Sequence, residues 1–198
     1  MAKAEYRSAI RSRKLITNAL VDLLDEKPID KITVTDIVRK ADINRGTFYA
    51  HYSCINDVIE NLFENPFRII QNSLTETSSD TIPDPNIMLK QLQALFEQDL
   101  DFYQKIFSSD VSMLIYDHLT NSMITYLSEH EKDFSFISHE DYGFFIRFCS
   151  GGTIKIYQDW FSGKLPISFD QLTKHVSYIL TKLLEIAYKN APFTIHDN

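Results

Sequence analysis

Apolar side chains recur every three or four residues along most of the chain, which is the periodicity of α-helices that bury one face. The first such run consists of Ile16, Ala19, Leu20, Leu23 and Leu24. Pro28 follows it, so we expect the first helix to end before that residue. The chain has only five glycines and six prolines, far from the turn-rich composition of an all-β protein. The pattern therefore predicts an all-α fold.

Two short helices are predicted directly after the first one. Thr33 precedes Asp36 by three residues, a spacing typical of the capping arrangement that begins a helix. Asp42 can take the turn conformation that glycine usually provides at the end of such a helix. Asn44 is a good N-cap for the next short helix, which we expect to reach His51.

A fourth helix, with Ser53 as its cap, would turn four apolar side chains inward: Val58, Ile59, Leu62 and Phe63. Asn65 and Pro66 predict a kink or a restart, because proline lacks a backbone donor and clashes with the preceding turn. We place the domain boundary close by, with a first domain over residues 10–70 and a second over residues 71–198.

The second domain is predicted to be a helical bundle behind a linker. Residues 75–86 are polar and contain two prolines, and Asp84 with Pro85 would then begin a helix. Further helical stretches are expected at about 88–107, 110–129, 139–161 and 168–189. Two capping pairs precede the last two helices: Ser138 with Asp141, and Ser168 with Gln171.

Charge divides the chain into a basic start and an acidic remainder. The whole chain carries −7, but residues 1–52 hold ten Lys and Arg against seven Asp and Glu, and the remainder holds ten against twenty. A basic head on an acidic body suits a protein that presents one end to nucleic-acid phosphates.

The location expected from the sequence is cytoplasmic. The two cysteines, Cys54 and Cys149, have no paired spacing and suit free thiols in a reducing compartment. The apolar stretch near the N-terminus is interrupted by polar residues, unlike a signal peptide, and no apolar run approaches the length of a membrane span.

The two short helices over residues 33–52 match a known way of placing a helix in the major groove of DNA. Apolar residues that would fix the angle between the helices, with an aromatic plug, are Ile37, Val38, Ala41, Ile43 and Phe48. The exposed face offers side chains that can meet phosphates or base edges: Arg45, Thr47, Tyr49 and His51. Gly46 would let the backbone approach DNA closely. The alternative, a plain hairpin inside an α-bundle, has no need of a Gly-Thr-Phe-Tyr string ahead of a histidine.

This helix-turn-helix segment resembles the TetR family of bacterial regulators. The residues that carry the likeness are Thr33, Val34, Ile37, Ala41, Ile43, Gly46, Thr47, Phe48, Tyr49, His51 and Tyr52. The resemblance spans roughly residues 10–70 and implies a dimeric, all-helical protein with a DNA-reading head and a ligand-binding body. The candidate DNA contacts, including the residue that starts the third helix, are Thr33, Thr35, Asn44, Arg45, Gly46, Thr47, Tyr49 and His51. By the same resemblance, Thr33 would cap the supporting helix and donate to a phosphate.

Two residues depart from the family's usual pattern. Asp42 stands where the family has a turn glycine, and Ile55 stands where it usually has a lysine that grips a phosphate. We expect the basic N-terminal arm over residues 1–14 to compensate by crossing the minor groove or the backbone of DNA.

Aromatic residues are frequent in the second half of the chain. They suit a pocket for a small apolar or aromatic effector, although core and interface packing also explains them. The candidate pocket residues are Phe102, Tyr103, Tyr116, Phe145, Phe148 and Tyr157.

Gly151 and Gly152 form an unusual pair inside a predicted helix, where each costs about 1 kcal/mol relative to alanine. A pair is expected only where backbones approach closely or the helix bends. The amino-acid sequences of residues 150–163 and 43–51 resemble a branch of the TetR family that includes coactivator-like members of dihydroxyacetone kinase operons.

The last two long helices are the candidates for a four-helix homodimer interface, with packing inside one chain as the alternative. Their apolar surface would come from Ile179, Leu180, Leu183, Leu184, Ile186 and Ala187. The predicted function is that of a homodimeric regulator of transcription that binds double-stranded DNA at a palindromic operator, as a ligand-responsive repressor. The alternative is a coactivator or adaptor whose body docks a protein partner. The sequence offers no catalytic constellation, no metal-ligand spacing and no cofactor motif, so we expect neither an enzyme nor a bound cofactor.

Overall fold

The computed structural model describes residues 2–75, 84–129 and 139–189, and all regular structure in those ranges is helical. The helices are α1 (Ala2–Leu24), a short 3-10 helix (Ile29–Lys31), α2 (Val34–Lys40), α3 (Arg45–Tyr49), α4 (Ile55–Thr75), α5 (Pro85–Phe96), α6 (Leu100–Ser108), α7 (Val111–Glu129), α8 (His139–Phe161) and α9 (Phe169–Lys189). The predicted all-α fold class is confirmed. None of the helices in these ranges is long and apolar enough to cross a membrane.

The chain divides into two compact units that are not contiguous in sequence. The N-terminal unit comprises Met1–Asn65 and Asp99–Ile115, and the C-terminal unit comprises Pro66–Gln98 and Tyr116–Asn198. Our linear domains, 10–70 and 71–198, did not assign residues 99–115 to the first of these units.

The core of the N-terminal unit is formed by the predicted apolar faces of its helices. Ile16 and Leu20 of α1, Ile37 of α2 and Phe48 of α3 are fully buried, as is Val58 of α4. Burying each such side chain contributes about 1.5–3 kcal/mol, so the small helices are held chiefly by their shared core.

Helix α6 packs against α1 and joins it through charged groups. Lys105 Nζ lies 2.8 Å from Asp22 Oδ1 and 3.5 Å from Asp25 Oδ2, and the hydrogen bond to Asp22 raises the pKa of Lys105. Asp110 Oδ2 accepts a hydrogen bond of 3.1 Å from the backbone N–H of Ile29. These contacts across more than 80 positions of sequence explain why residues 99–115 belong to the N-terminal unit.

The core of the C-terminal unit is aromatic. The rings of Phe96 and Phe169 stack with centroids 6.4 Å apart, and Tyr157 meets both edge-on at 5.9 and 6.0 Å. Trp160 stacks on Phe169 at 4.4 Å and donates its indole N–H to the carbonyl of Ile167 at 2.8 Å. This cluster connects α5, α8 and α9 and holds the loop between the last two helices.

Two predicted helical stretches have different boundaries in the structure. The single helix expected at 88–107 is wrong, because it is two helices, α5 and α6, separated by residues 97–99. Asp99 ends the continuity by capping α6, with its Oδ1 accepting from the backbone N–H of Phe102 at 3.2 Å. The side chain of Asp99 offers the backbone an alternative to continuing α5. The break is favoured because α5 belongs to the C-terminal unit and α6 to the N-terminal unit.

Of the predicted kink or restart at Pro66, the restart is wrong, since α4 runs unbroken through it. Proline removes one backbone hydrogen bond, and the remaining hydrogen bonds of the helix continue across it, while the kink stays a prediction. Ser53 does not cap this helix with its side chain as predicted. Its backbone N–H instead donates to Asp57 Oδ2 at 2.7 Å, and α4 begins at Ile55.

The predicted helix start at Asp84 and Pro85 is confirmed, with Asp84 Oδ1 accepting from the backbone N–H of Asn86 at 2.9 Å. The pair Ser168 and Gln171 is confirmed in both directions, at 3.2 and 2.9 Å. The other predicted pair, Ser138 and Asp141, and most of the expected linker lie outside the residues or side chains that the structure describes.

Candidate DNA-binding site

The start of α2 is held by a complete capping box. Thr33 Oγ1 accepts from the backbone N–H of Asp36 at 3.2 Å, and Asp36 Oδ2 accepts from the backbone N–H of Thr33 at 2.9 Å. Lys27 Nζ lies 2.7 Å from the same carboxylate and, with the bonds from Thr33, holds the pKa of Asp36 well below its ordinary value. The predicted capping role of Thr33 is confirmed.

The hydroxyl of Thr33 is already committed as a donor. It donates its proton to Asp36 Oδ2 at 2.6 Å while its oxygen accepts from the Asp36 backbone. Donation from Thr33 to a phosphate, as the sequence led us to expect, would therefore require this hydrogen bond to break. The structure favours Thr33 as a support for α2.

The turn between α2 and α3 is a Schellman motif closed by Asp42. Its backbone has a φ of 51°, the left-handed conformation predicted for this position. The Ile43 N–H reaches the carbonyl of Val38 at 3.1 Å, and the Asp42 N–H reaches that of Arg39 at 3.4 Å. Two hydrogen bonds thus fix where α3 leaves α2.

Asn44 caps α3 as predicted, and in doing so it orients Thr47. Asn44 Oδ1 accepts from the Thr47 backbone N–H at 2.7 Å and from the Thr47 hydroxyl at 3.2 Å. A Cβ placed on Gly46 would lie 3.1 Å from the same oxygen. The glycine therefore makes room for the cap, a reason for its presence that is independent of the close approach to DNA expected from sequence.

Arg45, the first residue of α3, is exposed and reaches back to α2. Its Nη2 donates to Thr35 Oγ1 at 2.6 Å. The structure thus brings together two predicted DNA contacts from two different helices. Sequence reasoning selected both residues and missed the bond between them.

The remaining predicted contacts surround the buried ring of Phe48. Tyr49 is 54% exposed, and its ring meets Phe48 edge-on with centroids 5.4 Å apart. His51 is half-buried, with its ring 6.4 Å from that of Tyr52. Phe48 therefore anchors α3 in the core, while Arg45 and Tyr49 of the same helix are exposed to solvent.

Two other features flank this face. Ile55 is half-buried at the first position of α4, so no cationic side chain stands where a phosphate-gripping lysine was expected. The N-terminal arm is part of α1, and Arg11, Arg13 and Lys14 on it are exposed. Because a helix does not fit the narrow minor groove, the helical arm favours contact with the DNA backbone over insertion into that groove.

The six predicted pocket residues do not all belong to one unit. Phe102 and Tyr103 lie on α6 of the N-terminal unit, and the other four lie in the C-terminal unit. Tyr157 is packed in the aromatic core described above, whereas Phe148 is 70% exposed. The effector pocket stays a prediction.

Gly151 and Gly152 have different surroundings. A Cβ on Gly151 would lie 3.2 Å from the ring of Tyr116 on α7, so the close approach predicted for the glycine pair is present there. A Cβ on Gly152 would meet no atom within 4 Å. Gly152 shares the exposed side of α8 with Phe144, which is 79% exposed, and with Phe148.

Both cysteines are free thiols, with Cys54 exposed and Cys149 half-buried. Burial raises the pKa of the Cys149 thiol to about 11. Within the described ranges, no three His, Cys, Asp or Glu side chains gather in a way that would hold a metal ion.

Comparisons with known proteins agree with the fold and with the placement of the site. Residues 16–62 match the family described as bacterial regulatory proteins, tetR family, and residues 83–182 match a transcriptional regulator C-terminal region. These two matches cover the helix-turn-helix and most of the C-terminal unit.

Curated relatives share parts of the chain. The HTH-type dhaKLM operon transcriptional activator DhaS of Lactococcus lactis is 34% identical over 104 residues, which is 52% of this chain and 53% of that protein. The uncharacterized HTH-type regulator YxbF of Bacillus subtilis is 35% identical over 37% of this chain and 20% of its own length. The chain therefore spans about half or less of the length of these relatives.

Solved structures extend the likeness to nearly the whole fold. A TetR transcriptional regulator from Streptococcus agalactiae superposes with a TM-score of 0.53 at 23% identity, covering 91% of this chain and 99% of that one. The dihydroxyacetone kinase operon activator DhaS superposes with a TM-score of 0.52 at 22% identity, covering 88% and 97%. Given the two family matches, this chain belongs to the tetR family of bacterial transcriptional regulators.

Proposed function

We propose that this protein regulates transcription by binding a palindromic duplex as a homodimer, with α3 of each protomer in a major groove. The observation that carries the proposal is the construction of α3. Phe48 anchors the helix in the core, while Arg45 and Tyr49 of the same helix are exposed. In helix-turn-helix proteins the N-terminal residues of the second helix contact base edges, and Arg45 is the first residue of α3.

Selection from random duplexes at low salt tests the DNA-binding part of the proposal. We expect an enriched palindrome with half-site centres about 34–36 Å apart, as the helical repeat requires. Arg45→Ala and Tyr49→Ala should each weaken binding to that duplex by about tenfold or more. Lys90→Ala, which removes an exposed cation of α5 in the C-terminal unit, is the control and should bind as the parent does. Failure of the parent to enrich any sequence would contradict the proposal.

We propose that the arm of α1 supplies the backbone contacts that Ile55 does not. Replacing Arg11, Arg13 and Lys14 by glutamine should weaken binding to all duplexes alike. The slope of log affinity against log salt should become shallower by roughly 0.9 for each phosphate that the arm no longer neutralises. An unchanged slope would show that the arm does not touch DNA.

We propose that the second copy docks on the exposed apolar face of α8 and α9. On α9, Tyr178, Ile179 and Ile186 are 65, 48 and 53% exposed. Leu180, Leu183, Leu184 and Ala187 are half-buried in the single chain. On α8, Phe144 and Phe148 are 79 and 70% exposed. Such a large apolar surface on one helix pair is typical of a four-helix homodimer.

The oligomeric state tests this part. Light scattering should give a dimer for the parent, and Ile179→Asp with Ile186→Asp should give a monomer that no longer binds the palindrome tightly. Ile87→Asp makes the same substitution at a 54%-exposed isoleucine of α5 and should leave the dimer intact. A monomeric parent would contradict the homodimer and leave the face to a protein partner.

We propose a small apolar or aromatic effector as the input, with ligand-responsive repression as the output. The aromatic core of the C-terminal unit supports the effector, and Trp160, the sole tryptophan, lies in that core. Its fluorescence should change on titration with aromatic compounds, and the palindrome should be released. A reporter gene behind the palindrome gives the sign of regulation.

Activation is the second candidate output, because the relative that is named for its function is an operon activator. In that case the reporter should rise on expression of the protein. A monomer that still binds DNA and carries the exposed Phe144 and Phe148 would favour the coactivator or adaptor that docks a protein partner.

A further inference from the structure

The three basic side chains of α2 and α3 have different partners. Arg39 Nη2 is 3.1 Å from Asp36 Oδ1, and Lys40 Nζ is 2.8 Å from Glu26 Oε1. Both cations are thus paired with carboxylates. Arg45 is held by the hydroxyl of Thr35, at 2.6 Å, and a hydroxyl carries no charge.

The neutral partner matters because DNA is an anion. A carboxylate would orient the guanidinium equally well, but it would offset its positive charge and repel the approaching phosphates. A hydroxyl orients Arg45 and leaves the full charge in place. Among the residues that the structure describes, the guanidinium uses one of its five N–H donors, so a bidentate contact to O6 and N7 of a guanine is still available.

The same hydroxyl keeps its own donor. Thr35 Oγ1 accepts from Arg45, and within the described residues its proton has no acceptor. The hydroxyls of Thr33 and Thr47 differ, since each donates its proton to a neighbouring side chain, Asp36 and Asn44 respectively. Thr35 is thus the threonine of this segment that can accept from Arg45 and donate to DNA at the same time.

We propose that Thr35 is the positioning residue for Arg45: its hydroxyl holds the guanidinium, uncompensated in charge, in the orientation that reads one G·C pair of the operator. This rests on the proposed binding of duplex DNA and adds the residue on which discrimination at one base pair depends. Holding the long arginine side chain in advance also lowers the entropy lost when it meets the base.

The experiment measures affinity for the selected palindrome, for a set of single-base-pair variants of it and for an unrelated duplex. Thr35→Val removes the hydroxyl and nearly keeps the shape of the side chain. We expect it to lose about tenfold or more in affinity for the palindrome, the loss typical of one hydrogen bond to a charged group. The loss should be largest on duplexes that carry the wild-type base pair at the position where Arg45→Ala no longer distinguishes one base pair from another. The loss should be small on the unrelated duplex.

Two matched variants separate orientation from charge. Thr35→Ser keeps the hydroxyl and should stay within about twofold of the parent on every duplex, since its bond to the guanidinium is retained. Thr35→Asp keeps an acceptor for Arg45 in the first turn of α2, where an acidic residue suits the helix. It should lose affinity for all duplexes, because it places a negative charge beside the phosphates.

A double mutant gives the decisive comparison. If Thr35 acts through Arg45, Thr35→Val should cause little further loss of discrimination in the Arg45→Ala background. Equal loss on every duplex would instead show that Thr35 is only a phosphate contact, and additive losses of discrimination would show that it reads a base independently. Either result overturns the proposal while leaving DNA binding intact, whereas failure of the parent to prefer any sequence overturns both. Unchanged melting temperatures of the variants verify that folding is retained.

Discussion

In the N-terminal unit, α2 and α3 have only seven and five residues, and side chains within three positions of each start close their first turns. In the C-terminal unit, α8 and α9 have 23 and 21 residues and are joined by aromatic rings that come from distant parts of the chain. The short helices are held by the core that they share, and local hydrogen bonds at their caps set where each one begins and how it is directed. The long helices have enough apolar surface to be placed by packing, and some of it stays exposed.

This difference suits the two tasks that we propose. A reading helix needs its side chains at fixed positions, which the caps at Thr33 and Asn44 and the turn at Asp42 provide. An interface needs a broad surface that a second copy can cover, which the exposed residues of α8 and α9 provide. Substitutions that act on one region and spare the other test the comparison.

The largest effect is expected from Phe48→Ala. Phe48 is fully buried, and truncating such a ring costs about 3–5 kcal/mol of unfolding free energy. The N-terminal unit should lose most of its stability, and DNA binding should be lost with it. Thermal unfolding followed by circular dichroism measures the change.

Tyr49→Ala is the matched control for Phe48→Ala, because Tyr49 is half exposed on the same helix. It should weaken DNA binding with a change in stability below about 1 kcal/mol. Phe169→Ala is the counterpart in the other region and should redden the emission of Trp160, whose ring lies 4.4 Å from that of Phe169 between centroids. Equal destabilisation by Phe48→Ala and Tyr49→Ala would contradict the assignment of Phe48 to the core and of Tyr49 to the exposed surface of α3.

Gly151→Ala and Gly152→Ala should differ by about 1–3 kcal/mol in unfolding free energy. Both gain helix propensity, but the new methyl on Gly151 meets the Tyr116 ring at 3.2 Å, whereas the one on Gly152 meets nothing within 4 Å. Urea unfolding of both in the monomeric Ile179→Asp background isolates the effect within one chain. Gly152→Ala should in addition weaken the dimer if α8 of a second copy packs closely there. Equal stability of the two variants would show that Tyr116 moves aside at no cost.

Asp42→Gly should stabilise the protein by about 0.5–1 kcal/mol, since a non-glycine residue is strained at a φ of 51°. Gly163 occupies the corresponding turn at the end of α8, with a φ of 74°. Gly163→Ala should therefore lose about as much as Asp42→Gly gains. A loss of stability in Asp42→Gly would indicate that the aspartate side chain contributes more free energy to the turn than the backbone strain costs.

The smallest effect is the pH dependence that comes from Asp36. Its pKa is lowered in the folded protein, below the ordinary value of 3.8, mainly by Lys27 and Thr33. The stability that it contributes is fully present above that ordinary value and is lost as the pH falls below it. The urea midpoint should therefore drop further between pH 5 and pH 3 for the parent than for Asp36→Asn. Parallel curves would show that the capping box does not depend on the charge of Asp36.

The sequence was most informative where hydrogen bonds are local. Thr33 with Asp36, Asn44, Asp84 and Ser168 with Gln171 all cap helices as predicted, because each bond joins residues at most three positions apart. The left-handed turn at Asp42 followed from the same local reasoning. The DNA-facing role of the exposed residues beside these caps stays a prediction.

The break between α5 and α6 shows why local reasoning failed elsewhere. Leu92, Phe96, Leu100, Tyr103 and Phe107 keep helical spacing straight across the break, so the apolar pattern indicated one helix. The cap residue Asp99 was a local signal for the break, but whether the helix ends there depends on where α6 packs. Pro66 is the opposite case, because the helix continues through a residue that predicted a kink or a restart.

The amino-acid sequence by itself determined the helical class and the caps of the short helices, since these depend on spacing and on bonds between near neighbours. Only the tertiary structure decided that residues 99–115 join the N-terminal unit, through Lys105 with Asp22 and Asp110 with Ile29. It also revealed the bonds from Lys40 to Glu26 and from Arg45 to Thr35. Such pairings join residues ten to more than eighty positions apart, and the spacing of side chains along one helix carries no information about contacts over such separations.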